Sequence, residues 1–299
     1  MSAVLRLGTR GSALALVQTQ LVADALRARD VATEVVEVVT TGDRRRAAPD
    51  KEKWVKELEL ALLADEIDLA VHSAKDVPGA LPDGLELAGA LARADPRDAL
   101  CGADGLAALA PGARVGTSSL RRRAQLLAAR PDIEVVDVRG NVDTRLRKLG
   151  EGEVDALVLA AAGLERLARA DAAGALLAEL VPAGGQGIVT LEARAGDARA
   201  RDAAASVTDA AAWTALRCER ALVVALEATC DTPVGAYATQ ASGTLTVAAF
   251  AGLPDGSAWV RDRLEGPAGE PERLGEACAQ RMLAAGARDL LREAAAPAS

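Results

Sequence analysis

The chain has 299 residues, half of them hydrophobic, and a net charge of −8. That length exceeds one small core and calls for two or three domains. The acidic balance disfavours broad nucleic-acid binding, and with no run of 18 apolar residues no membrane-spanning helix is expected.

In chain order, VLRLG (4–8) predicts a strand and residues 12–29 an amphipathic helix. TEVVEVV (33–39) predicts a second strand, followed by the charged loop GDRRRAAPDKEK (42–53). WVKELELALLADE (54–66) predicts a helix and IDLAVHS (67–73) a buried strand. The order repeats beyond residue 95: ARVGTS and a helix, IEVVDV (133–138) and a helix from Val142, DALVLA (155–160) and a helix from Leu164. Such alternation predicts parallel sheets covered by helices. The last ninety residues differ. A long helix (209–228), two or three antiparallel strands (AYATQA, TLTVAAFAG, SAWVRDRLEG) and one final helix (270–293) predict a small α+β domain.

Cys101, Cys218, Cys230 and Cys278 lie far apart without a C-x-x-C pair, which disfavours a disulfide framework or a zinc site. His72 is the single histidine, so no histidine-rich metal site is available and no metal is expected. The N-terminal MSAVLRLGTRGS lacks a basic region followed by an apolar signal core, so a cytoplasmic location is expected. Thirty of the 35 basic residues are arginine, consistent with a GC-rich coding bias, so a single arginine carries little information and Lys75 is a rarer choice.

The residue types with chemistry to offer gather where strands end. Thr9-Arg10-Gly11-Ser12, His72-Ser73-Ala74-Lys75-Asp76, Gly116-Thr117-Ser118-Ser119 and Arg139-Gly140-Asn141 each follow a predicted strand. Ligands of open parallel sheets bind beyond the carboxyl ends of strands, where helix N-termini favour anions. Arg121 and Arg122 stand in the first turn of a helix capped by Ser118 or Ser119, with Leu120, Ala124, Leu127 and Ala128 on one face. Cations there oppose the helix dipole at a cost of roughly a few tenths of a kcal/mol each. Their placement makes sense if an anion belongs at the same spot, since arginine grips a carboxylate or phosphate with two parallel hydrogen bonds. Arg123 reads as a solvated neighbour, and His72 alone as a core histidine. Two readings compete: an enzyme acting on an acidic small molecule, and a non-catalytic small-anion binding protein built around the same groups.

Eight segments, LRLGTRGSALAL, AVHSAKDVP, DPRDAL, VGTSSLRRRAQL, VRGNVDTRLRKL, AAAGLERL, GGQGIVTLE and a cysteine shortly before TPVGAYA, occur in an order and spacing that resemble the porphobilinogen deaminase (hydroxymethylbilane synthase) family over essentially the full chain. The resemblance implies two α/β domains like type II periplasmic binding proteins with a cleft between them, plus a small α+β C-terminal domain. The corresponding boundaries are 1–92 with 188–207, 93–187, and 208–299. It implies a monomeric, cytoplasmic transferase of haem and other tetrapyrrole biosynthesis. Four porphobilinogen molecules are condensed, with loss of ammonia, onto a dipyrromethane cofactor held by a cysteine thioether, and hydroxymethylbilane is released. No nucleic acid or membrane takes part. By the same resemblance Cys230 anchors the cofactor, and Asp76 with Lys75 serves catalysis. Ser73, Lys75, Asp76, Thr117, Ser118, Ser119, Arg121, Arg122, Arg139 and Gly140 hold the cofactor, and Arg10, Ser12, Lys51, Arg139, Arg145 and Arg166 hold the substrate. The chain departs from the family pattern at Ala228-Thr229, where two glycines usually precede the cysteine. It departs again at 42–53, where a longer glycine-bearing loop usually ends in phenylalanine instead of Trp54.

Overall fold

The computed structural model describes residues 4–38, 51–229 and 232–296, excluding the side chains of 51–54. The chain divides into two compact units, one of residues 1–94 with 188–213 and one of residues 95–187 with 214–299.

In the first unit, short apolar runs flanked by turn residues become central strands, buried on both faces as helix-covered parallel strands are. The sheet contains β1 (Leu5–Thr9), β2 (Thr33–Glu37), β3 (Leu69–Ser73), β4 (Leu85–Ala90) and β10 (Val189–Arg194) in the order β2-β1-β3-β10-β4. β1 is parallel to β2 and β3, whereas β10 is antiparallel to both β3 and β4. Helices α1 (Ala13–Arg27), α2 (Lys51–Leu63) and α6 (Ala198–Ser206) belong to this unit. Leu5, Leu7, Leu26, Leu69 and Leu191 form the centre of its core.

The second unit repeats that plan. Its first sheet holds β5 (Asp98–Cys101), β6 (Arg114–Gly116), β7 (Glu134–Val136), β8 (Ala156–Ala160) and β9 (Ala175–Leu177), ordered β7-β6-β8-β5-β9. Here β5 is the antiparallel strand, flanked by β8 and β9. In both sheets the antiparallel strand is the first one formed after the chain has crossed from the other unit. Helices α3 (Leu120–Ala129), α4 (Val142–Gly150) and α5 (Ala161–Arg166) follow β6, β7 and β8. Two five-stranded sheets of one topology are what the likeness to type II periplasmic binding proteins implies. The all-parallel sheets expected from the β-then-α alternation are corrected to mixed sheets. The antiparallel strands β5 and β10 follow loops instead of helices, so no alternation announces them.

The same unit contains a three-stranded antiparallel sheet of β11 (Val234–Ala241), β12 (Thr244–Gly252) and β13 (Trp259–Pro267). Helix α7 (Ala210–Ala225), all but its first turn in this unit, joins α8 (Pro271–Ala284) and α9 (Ala287–Ala295) around it. Cys218, Leu222, Val247 and Met282 lie in their shared core. The single final helix read from the sequence is two helices. Gly286 takes φ 98°, a left-handed conformation that glycine adopts without a Cβ clash, and breaks the run between Ala284 and Ala287.

Candidate functional site

In the first unit two neighbouring parallel strands deliver their carboxyl ends to the same sheet edge. After β1, Ser12 caps α1 by accepting from Ala15 N at 3.3 Å, with Arg10 half-buried just before it. After β3, Ser73 leads into a single 3-10 turn, Ala74–Asp76. The turn is fixed at both ends: Ala74 N donates to Ile188 O at 3.0 Å, and Val77 N donates to Ala74 O at 3.3 Å. Val77 is extended, as the residue before a proline must be, and Pro78 stops the turn from growing into a helix. Ser73, Lys75 and Asp76 are all half-buried. His72, one residue earlier, is a core histidine: its Nε2 lies 2.8 Å from Glu192 Oε2, with the side chains 4% and 0% exposed. Glu59 on α2 is pushed above the usual carboxylate range by burial and then by the neighbouring Glu192 charge.

In the second unit three adjacent parallel strands do the same. β6 is followed by Thr117, Ser118 and Ser119, and Ser119 caps α3 by accepting from Arg122 N at 3.4 Å. Thr117 Oγ1 accepts from Ser119 N at 3.2 Å, so the backbone of the turn is set before any ligand arrives. β7 is followed by Arg139, Gly140 and Asn141, the last capping α4 through Thr144 N at 2.9 Å. Gly140 has φ 120°, and a Cβ there would stand 2.8 Å from Thr144 Cγ2, so only glycine fits. β8 is followed by α5, which carries Arg166, whose Nη2 donates to Gly187 O at 2.7 Å. Arg145 on α4 bridges two of these ends, donating from Nε to Gly140 O at 2.8 Å and from Nη2 to Ser118 Oγ at 3.3 Å. Arg139 and Ser118 are exposed. Arg139 Nε also meets the exposed carboxylate of Asp137 at 2.8 Å.

The anion that the placement of Arg121 and Arg122 called for is present within the chain. It is Asp98, at the start of β5 and 0% exposed. Asp98 Oδ2 accepts from Arg121 Nη1 at 2.7 Å. Oδ1 accepts from Arg121 Nη2 at 3.2 Å, Arg122 Nε at 2.9 Å and Gln186 Nε2 at 2.9 Å, and forms an ion pair with Arg122 Nη2 at 2.8 Å. Burial alone would raise the Asp98 carboxyl, but the Arg121 and Arg122 charges outweigh it and hold the group well below the ordinary range. Burial in turn pulls Arg122 down despite Asp98. Arg145 is pulled down by burial and then by the Arg122 charge, and Arg166 by burial. Two guanidinium groups therefore share one carboxylate. Arg121 Nε is buried without an acceptor among the described residues. The buried face of α3 is also corrected: it comprises Arg121, Arg122, Ala124, Gln125 and Leu126, not the Leu120–Ala124–Leu127–Ala128 stripe.

Cys230 and the side chains of Lys51 and Trp54 lie outside the described residues. The other three cysteines are buried. Burial pushes the Cys101 thiol up to about 11 and those of Cys218 and Cys278 up to about 12. Among the described residues no cluster of His, Cys, Asp and Glu is arranged to hold a metal ion, and no helix is long and apolar enough to cross a membrane. Sequence reasoning missed Asp98, Gln125, Gln186 and Glu219, all fully or almost fully buried polar groups. The first three lie inside the quoted motifs DPRDAL, VGTSSLRRRAQL and GGQGIVTLE, and that was the available signal.

Two family models match the chain. "Porphobilinogen deaminase, dipyromethane cofactor binding domain" covers residues 5–202, and "Porphobilinogen deaminase, C-terminal domain" covers residues 213–284. A protein of Roseiflexus castenholzii named porphobilinogen deaminase is 49% identical over 298 residues, spanning 96% of this chain and 98% of its own. One of Thermus thermophilus with the same name is 45% identical over 295 residues, spanning 96% and 98%. Among solved structures, a periplasmic substrate-binding protein of a Coxiella burnetii ABC transporter aligns over 71% of this chain and 94% of its own with TM-score 0.43 and 14% identity. The periplasmic VFT2 domain of Bordetella pertussis BvgS aligns over 68% and 86% with TM-score 0.42 and 18% identity.

Proposed function

The chain belongs to the porphobilinogen deaminase family, and from that membership together with the donor geometry we propose how its own residues carry the reaction. Members are hydroxymethylbilane synthase transferases of tetrapyrrole biosynthesis, and the substrate, porphobilinogen, bears an acetate and a propionate on each pyrrole. A chain of such units accumulates carboxylates and needs many fixed cationic donors.

The observation that carries the reading is the unbalanced charge at the strand ends of the second unit. Arg121 and Arg122 share Asp98, Arg145 feels the Arg122 charge, and Arg121 Nε lacks an acceptor among the described residues. That donor set fits a group bearing acidic side chains, so the dipyrromethane suits it. The residues that would hold it are Thr117, Ser118, Ser119, Arg121, Arg122, Arg139 and Gly140, with Ser73, Lys75 and Asp76. When bound, the dipyrromethane supplies a primer to which the first substrate unit is joined. Arg10, Ser12, Arg139, Arg145 and Arg166 grip the carboxylates of incoming substrate, and Lys51 is assigned to the same task. A hydrogen bond to a charged group contributes about 1.5–3 kcal/mol, so a few donors offset the desolvation of two carboxylates.

Asp76 is the catalytic carboxylate. It accepts from the pyrrole N–H of the substrate. As the bond to the aminomethyl nitrogen breaks and ammonia leaves, positive charge spreads over the ring, and the fixed carboxylate stabilises it. Lys75, on the same 3-10 turn, binds an adjacent carboxylate. Cys230 is the thioether anchor. The other three thiols are buried and held protonated, poor nucleophiles at neutral pH, which leaves them unsuited to that role. Residues 208–299 act as the anchoring domain of a monomer working in the cytoplasm.

The test is the intact mass of the purified protein, paired with porphobilinogen consumption and ammonia release. The expected result is an excess of two linked pyrroles, lost in Cys230→Ala, with turnover in the wild type. A protein of sequence mass that binds porphobilinogen without consuming it would overturn the reading.

A further inference from the structure

The 181–186 segment, which runs into the GGQG motif, has no part in the chemistry above, yet it is among the most heavily tied stretches of the second unit. Val181 N donates to Gln125 Oε1 at 2.7 Å, and Val181 O accepts from Gln125 Nε2 at 3.0 Å and from Arg121 Nη1 at 2.8 Å. Pro182 O accepts from Ala236 N of β11 at 2.9 Å. Gly185 N donates to Glu219 Oε2 at 2.6 Å, and Gln186 Nε2 donates to Asp98 Oδ1 at 2.9 Å and Pro96 O at 2.7 Å. Its two ends thus rest on the Arg121–Arg122–Asp98 cluster and its middle on the module of α7 and β11. Buried backbone groups of an irregular segment need such partners, but the partners chosen come from two different sheets.

Glu219 and Gln125 make the crossing. Glu219, 0% exposed on α7, spends its second oxygen on Ala238 N of β11 at 2.7 Å. Helix α7 is the element that runs on in sequence toward residue 230. Gln125, 0% exposed on α3, also accepts from Arg261 Nη2 of β13 at 3.3 Å. The Arg261 guanidinium is in turn held 5.3 Å from the Phe250 ring and 5.4 Å from the Trp259 ring. The two parts approach closely here: a Cβ on Gly256 would stand 2.4 Å from Ala128 N at the far end of α3.

We propose that the 181–186 segment, gripped by Gln125 from α3 and by Glu219 from α7, is a strap that sets the register of the cysteine-bearing module on the Arg121–Arg122–Asp98 cluster. Gln125 and Glu219 are then positioning residues for loading of the dipyrromethane. This rests on the reading of Cys230 as its anchor. Glutamine at 125 is specific because its amide offers one acceptor and one donor to the N–H and C=O of the same residue, Val181. A carboxylate at 219 is specific because it must accept two backbone N–H groups. Glutamine there would turn an NH2 group against one of them.

The experiment uses the full-length apo chain, made in cells without porphobilinogen, and follows by intact mass its gain of two linked pyrroles on incubation with porphobilinogen. The proteins are the wild type, Gln125→Leu, Glu219→Gln and the double variant, each with a melting curve. Small misplacement of reacting groups costs up to roughly 100-fold, so each single variant should load about 10- to 100-fold more slowly. The double variant should load no more slowly than the slower single, because both act through one strap. Wild-type loading rates in folded single variants with lowered melting points would overturn the proposal, as would losses that multiply in the double variant. If Glu219→Gln does not fold, Gln125→Leu alone decides by the same loading criterion. Failure of the anchor reading itself shows separately, in a wild type that gains no mass or gains it on another cysteine.

Discussion

Asp98→Asn is the sharpest test of how the second unit is built. The carboxylate is 0% exposed and accepts from both guanidinium groups and from Gln186 at 2.7–3.2 Å. Asparagine has nearly the same volume, so packing is kept and charge is lost. One oxygen must then serve donors that had two, and the new NH2 group faces a guanidinium. Removing one partner of a buried ion pair costs about 3–5 kcal/mol, because the other charge stays buried. Native stability is only about 5–15 kcal/mol. In a unit of this size each kcal/mol lowers the melting temperature by about 2–4 °C, so the midpoint should fall by about 6–20 °C. Asp95→Asn is the internal control. Asp95 pairs with Arg97 at 2.5 Å, but the side chains are 27% and 45% exposed, and such a pair contributes about 0–1 kcal/mol. Urea unfolding of the two variants against wild type gives both differences. A loss for Asp98→Asn below about 1 kcal/mol, or one equal to that of Asp95→Asn, would refute the idea that the arginine pair is organised by this carboxylate.

Acid should weaken the first unit through Asp68. Its burial would raise the carboxyl, but hydrogen bonds and charge from Arg6 outweigh that and hold it at about 2, below its ordinary value. A lowered folded-state value contributes stability above the unfolded pKa that disappears as pH falls through the folded one. The loss should therefore develop between about pH 4 and about pH 2, and unfolding of Asp68→Asn should be flatter across that window. Arg139→Leu and Arg145→Leu should each weaken porphobilinogen binding by roughly 10- to 100-fold, the scale of a charged hydrogen bond. Arg123→Leu, which gives up one bond to Val135 O at 3.0 Å, should change binding little; equal losses at all three would point to general charge. In an enzyme preloaded with cofactor, its content checked by mass, Asp76→Asn should keep the fold while ammonia release falls by roughly 10²–10³-fold. Near-normal release would move the chemistry to another residue.

Much of this architecture is legible in the sequence, and what is not has a physical cause. Short apolar runs followed by helical patterns expose the strand ends of β1, β6, β7 and β8, and the turn residues after IDLAVHS expose that of β3. β5 and β10 escape, since DALC and VTLEAR enter the sheet by long-range antiparallel pairing, with no helix before them to mark the alternation. Helix α3 misleads for another reason. Hydrophobic pattern assumes that polar side chains face water, yet Arg121, Arg122 and Gln125 turn inward because Asp98 and Val181 satisfy them there. Nothing local in LRRRAQL announces partners 23 and 56 residues away. Pattern alone therefore gives the wrong face of this helix.

The way Asp98 is shared also bears on how the arginines work. With no carboxylate nearby, two guanidinium groups could not be buried side by side, since each would lose its hydration without compensation. With a carboxylate each, they would be neutralised and would exert no pull on a ligand. One carboxylate for two is the intermediate case: both forks are fixed by hydrogen bonds to Asp98, while one unit of positive charge is left over. At an effective dielectric of about 20, a unit charge 4 Å away acts with about 4 kcal/mol. After burial, the neighbouring Arg122 charge is the next influence pulling Arg145 down. Burial there disfavours any charge, but the Arg122 contribution alone has the sign that favours a carboxylate. The acidic groups of a pyrrole chain would then be drawn to donors whose orientation was settled during folding, so binding need not pay again to arrange them.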